Sequence, residues 1–157
     1  MAASERVEGL GNVALGSAQN DRMRLPAWFA WSIRILLALV FGVYGSVKLA
    51  GNQFWHGPFE WNSATDNPVY LVWGFFGRSY VYSTFIGLGE LVPSLLLLHP
   101  RTTLLGALGL LPVSLNVVLI DWCYGFPEVR FFAIGYFVLV CLLLWHDRAR
   151  LLRLIER

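Results

Sequence analysis

The chain has 157 residues, of which 57% are hydrophobic and only 14% charged, with a formal net charge of +2. Soluble domains carry about 25% charged residues, and a globule of this length has too much surface to be covered by so few. Disorder, a coiled coil, a disulfide scaffold and a soluble enzyme are excluded, a dispersed charge of this size excludes a nucleic-acid partner, and the chain belongs in a lipid bilayer.

Residues 1–26 precede the first apolar stretch, and the first 20 of them are rich in Gly, Ala, Ser and Asn with scattered charge. They read as a disordered cytoplasmic tail. They lack the apolar core of a signal peptide, so the first span is expected to be an uncleaved anchor.

A helix needs about 20 mainly apolar residues to cross a hydrocarbon layer about 30 Å thick. Four stretches are predicted to do so. The first runs from Ala27 to Ala50 and is interrupted only by Arg34 and Lys48. The second ends at Leu98 and starts near Tyr80, or as early as Val69 if Arg78 is tolerated inside. The third, Thr102 to Ile120, carries no charge. The fourth, Phe131 to Trp145, spans about 22 Å as a helix, short enough that flanking aromatics must sit among headgroups or the bilayer must thin.

Arg22, Arg24, Arg101, Arg148, Arg150, Arg153 and Arg157 fall on one side of such a four-span chain. Excess arginine marks the cytoplasmic side, so both termini are expected there, in a bacterial inner membrane. The segment Phe54 to Pro68 holds Trp55 and Trp61, with Trp73 soon after, and reads as an ordered outer loop lying on the membrane surface. In residues 148–157, Leu151, Leu152, Leu154 and Ile155 alternate with arginines. That pattern suits a basic amphipathic interfacial helix or a frayed anchor tail. The expected architecture is therefore an all-α, four-helix transmembrane bundle over residues 27–147.

An ionisable side chain inside a span costs about 2.5–3.5 kcal/mol on insertion scales and is a functional candidate by default. Counted from the cytoplasmic span ends, Glu90 lies about 12 Å deep and Arg34 about 10 Å. Being nearly level, they are expected to pair, either to set helix register or to carry a proton or ligand. Asn116 joins this intramembrane polar set as a cross-helix hydrogen bonder. A second cluster is expected at the outer face, from Lys48, Arg78 and Asp121, with Glu128 nearby. Lys48, the single lysine of the chain, is either a snorkelling span-end cation or part of a cationic wall for an anionic headgroup.

Gly42, Gly45, Gly87, Gly89, Gly106 and Gly109 permit close helix approach, and Pro93 and Pro112 kink their spans. Cys123 and Cys141 should differ in depth by about 15 Å, too far for a disulfide. His56, His99 and His146 fall at different levels, and no metal or haem site is expected from them.

Arg34, Gly45 and Lys48 stand as R-x10-G-x2-K, and Glu90 is followed by the run Leu95-Leu96-Leu97-Leu98, then Arg101 and Gly106. Over Ile33 to Asp147 this order resembles the DoxX-like family of small four-helix membrane proteins. Ala38, the His99-Pro100 turn and the long outer loop depart from its usual pattern. The family took its name from a subunit associated with a quinone-linked sulfur oxidoreductase. The resemblance implies an accessory subunit of a membrane redox assembly, not catalytic alone, with cofactors carried by partners and with quinone or lipid contact. A non-catalytic assembly, packing or cargo-handling protein, or a small oligomeric transporter, stands as the alternative. The expected partners are the lipid bilayer and other membrane subunits or further copies of the chain.

Overall fold

The computed structural model describes residues 25–155, so the expectation for residues 1–26 lies, apart from Leu25 and Pro26, outside the described residues. Among the described residues six helices follow one another: α1 (Ala27–Leu49), α2 (Pro68–Gly77), α3 (Tyr80–Leu97), α4 (Thr103–Cys123), α5 (Arg130–His146) and α6 (Arg148–Ile155). Among the described residues α1, α3 and α4 are long and apolar enough to cross a membrane. Helix α5 is apolar but has 17 residues, about 26 Å of rise.

Local chemistry sets the boundaries. Helix α1 ends where Gly51 takes a left-handed φ of 73°. The Gly51 N–H then donates to the Lys48 carbonyl and the Asn52 N–H to that of Val47, the paired bonds of a Schellman cap. Helix α2 starts at Pro68, with the Asn67 side chain accepting from the Val69 N–H at 2.9 Å. It closes before Arg78, and extended Ser79 opens α3 by accepting from the Tyr82 N–H. The second apolar stretch is thus two helices, and α3 begins at Tyr80. In the short turn between α3 and α4, the Thr102 hydroxyl donates to the Leu96 carbonyl at 2.8 Å and that of Thr103 to His99 at 3.0 Å. The first bond occupies a carbonyl left over at the end of α3, and the second ties the start of α4 back to the turn.

Helix α1 packs on α3 and α5, α4 fills the remaining side between α3 and α5, α2 leans on α3, and α6 on α5. Ile33, Leu37 and Phe41 of α1 meet Leu97, Ala107, Leu110, Val140 and Leu143 in one buried core. The closest approaches are at glycines. A Cβ on Gly45 would lie 2.7 Å from the Gly87 carbonyl oxygen, and one on Gly106 would lie 2.7 Å from that of Pro93. The outward faces are apolar as well: Val81 is 82% exposed, Phe85 70% and Leu39 62%. Surfaces of that kind are stable against lipid rather than water.

Candidate functional site: a buried ion pair under an aromatic cap

The Gly45–Gly87 contact brings α1 and α3 together, and each helix carries one charge three residues further along: Lys48 after Gly45, Glu90 after Gly87. Helical side chains lean toward their own N-terminus. The two helices run in opposite directions, so Lys48 and Glu90 lean toward each other across the contact. The Lys48 Nζ donates to Glu90 Oε2 at 2.7 Å, and the two side chains are only 7% and 3% exposed. The ammonium also lies 5.4 Å from the Tyr44 ring centre and 5.8 Å from that of Phe54, where aromatic faces favour a cation.

The segment between α1 and α2 is ordered over this end of the molecule. Phe54 is buried and packs against Phe76 with ring centres 5.3 Å apart. The Trp55 N–H donates to the Trp73 carbonyl at 3.3 Å, and the Trp55 backbone fills the space a side chain at position 77 would need. His56 stacks on Tyr80 at 4.0 Å, with Nδ1 2.8 Å from the Gly77 carbonyl oxygen. Glycine at 77 therefore admits the loop, and the loop in turn covers the lysine. An apolar cleft of about 280 Å³ lies alongside, lined by Leu71, Val72, Phe75, Phe76, Ile120 and Tyr124.

The expected Arg34–Glu90 pair does not form. Arg34 precedes Gly45 by eleven residues, about 16 Å along α1, whereas Glu90 sits within one turn of the Gly45 contact. Counting depth from span ends treated the helices as flush; the glycine contact instead lets α1 run past the end of α3 and sets Arg34 level with the α3–α4 turn. Arg34 is 8% exposed, its Nε makes no hydrogen bond, and its guanidinium lies 5.4 Å from the Trp31 ring centre. Asn116 is exposed on the outward side of α4 and joins neither charge.

The expected outer cluster is not assembled either. Lys48 turns inward to Glu90, Arg78 is exposed at the break between α2 and α3, and Asp121 is buried at the end of α4, where its backbone carbonyl accepts from Phe126. Buried Ser83, Ser94 and Ser114 donate to carbonyls of their own helices. Cys123 and Cys141 are free. The sequence alone does not assign Tyr44, Phe54, His56 or Tyr80 to this site. The matching spacings Gly45-x2-Lys48 and Gly87-x2-Glu90 were the available signal for the pair.

The arrangement defines a class: a protein that is helical throughout its ordered elements among the described residues, with three helices there long and apolar enough to cross a membrane, two of them locked by a buried lysine–glutamate pair. No family model matches the chain, and no solved structure does. Over 129 residues it is 39% identical to the uncharacterized protein YwoB of Bacillus subtilis (strain 168), covering 82% of this chain and 80% of that protein. The chain belongs to the YwoB family.

Proposed function

We propose that the chain is a four-span membrane protein of the DoxX-like type, with both termini in the cytoplasm and α5 as the short fourth span. On this reading it serves as an accessory subunit of a membrane assembly in the bacterial inner membrane and is not catalytic alone. Orientation follows from Arg101, Arg148, Arg150 and Arg153, which cluster at the α3–α4 turn and in α6. The observation that carries the accessory role is the 2.7 Å Lys48–Glu90 pair. Each charge neutralises the other, so the pair holds α1 and α3 in register and offers neither acid nor base to a substrate.

Exposed Asn116 on α4 presents an amide where lipid cannot hydrogen-bond, which favours contact with a second polypeptide there. The DoxX-like resemblance makes a quinone-linked redox complex the first partner class to test, with the apolar cleft beside α2 as the place where a quinone or lipid tail would be met. The glycine contacts favour the second reading, a packing or assembly protein without redox partners. Purification from native membranes in mild detergent, with identification of co-purifying polypeptides and lipids, separates the two. A redox subunit in fixed stoichiometry supports the proposal. A homo-oligomer filled only with lipid overturns it in favour of the second reading or of a small transporter.

A further inference from the structure

Among the described residues Arg34 is the buried cation that lacks a counter-charge, as Asp121 at the far end of α4 is the buried acid that lacks one. Its side chain sits on the core-facing stripe of α1 near Ile33 and Leu37, 8% exposed, and among the described residues it has neither a hydrogen-bond acceptor nor an acidic partner. The Trp31 face at 5.4 Å offsets part of the desolvation, but a guanidinium in an apolar setting still calls for an anion.

The surroundings indicate which anion. Arg34 lies about 10 Å along α1 from Ala27 and leans back toward that end. Trp28, Trp31 and Trp145 are exposed around the same end of the molecule, as in the aromatic belt at a headgroup layer. The turn level with Arg34 carries Arg101, and Arg150 of α6 reaches it by donating to the Pro100 carbonyl at 3.2 Å. Among the described residues Asp147 is the single acid at this cationic end, and it lies 4.0 Å from Arg150. Below the belt, exposed Ile35, Leu36 and Leu39 offer α1 an apolar flank for acyl chains.

We propose that the Arg34 guanidinium binds the phosphodiester of an anionic lipid from the leaflet surrounding the end of the bundle where α1 begins and α5 ends. Arginine presents a planar fork of donors that matches two phosphate oxygens, and Arg101 and Arg150 add positive potential at headgroup level. The inference rests on the four-span reading and is independent of the accessory role.

The test is native mass spectrometry of the full chain released from nanodiscs containing phosphatidylglycerol and phosphatidylcholine with identical acyl chains. One phosphatidylglycerol should stay bound to wild type, with phosphatidylcholine retained far less. Arg34→Met should weaken retention at least tenfold, the scale of a lost charge-assisted hydrogen bond. Arg34→Lys should fall between the two, and Arg78→Gln, exposed at the opposite end of the bundle between α2 and α3, should leave retention unchanged. Equal retention by wild type and Arg34→Met would overturn the proposal, as would equal binding of the two lipids. Complete displacement by millimolar inorganic phosphate would overturn the lipid as the source of the anion. If Arg34→Met does not fold, wild type alone decides: its unfolding midpoint in phosphatidylcholine micelles should rise saturably with added phosphatidylglycerol, and a flat response refutes the site. Failure of wild type to enter nanodiscs at all would instead count against the four-span reading.

Discussion

Replacing Glu90 by Gln removes the negative member of a pair whose side chains are 3% and 7% exposed and 2.7 Å apart. Lys48 is then left with an amide oxygen as acceptor and no counter-charge, under the Phe54 cap. Breaking a buried pair from one side costs about 3–5 kcal/mol, a factor of about a hundred to several thousand in the folding equilibrium. Lys48→Met should cost a similar amount, because it strands the carboxylate. Lys48→Met combined with Glu90→Leu should recover most of the loss, since neither charge then needs solvation. The assay is equilibrium unfolding in mixed micelles, comparing both single variants with the double variant so that the coupling energy is read directly. A coupling of several kcal/mol is expected for Lys48 and Glu90, and one within about 0.5 kcal/mol of zero for Arg34 and Glu90, the limit for groups that do not touch. Additive losses at Lys48 and Glu90 would refute the pairing, and strong coupling of Arg34 to Glu90 would refute the register set by Gly45.

That register has its own test. Gly45→Ala places a Cβ 2.7 Å from the Gly87 carbonyl oxygen and 2.8 Å from the Leu91 nitrogen, both backbone atoms, so α1 and α3 must separate at a cost of about 1–3 kcal/mol in unfolding measurements. Gly89→Ala meets nothing within 4 Å and should stabilise α3 by about 0.5–1 kcal/mol; equal effects at the two glycines would contradict the close contact. For topology, cysteines introduced at Asn62 and Arg157 should label from opposite faces of the membrane, and labelling from one face would overturn the four-span arrangement. Native Cys123, exposed, should react from the Asn62 side and faster than half-buried Cys141; mass spectrometry finding a bridge between them would contradict the structure.

Much of the architecture was legible in the residues alone, because lipid imposes one-dimensional constraints. The lengths of apolar runs marked α1, α3 and α4 to within a few residues, since a spanning helix must satisfy its own backbone over a fixed thickness. Trp55 and Trp73 marked an ordered segment between the first two long helices, and the structure joins them backbone to backbone. The break at Arg78 and Ser79 was left open. Hydropathy continues from α2 into α3, and the decision falls to one side-chain cap at Ser79.

Which charges meet was not legible, because depth in a span is a position along one helix and pairing is a relation between two. Glu90, Lys48 and Arg34 could all be named from sequence as costly charges in apolar runs. Matching them required the axial offset of α1 against α3, and that offset is set where backbones touch at Gly45 and Gly87. Sliding α1 along α3 by the fourteen residues that separate Arg34 from Lys48, about 21 Å of helix, changes neither composition nor span length. It changes the glutamate's partner from arginine to lysine, and only the packed structure decides it.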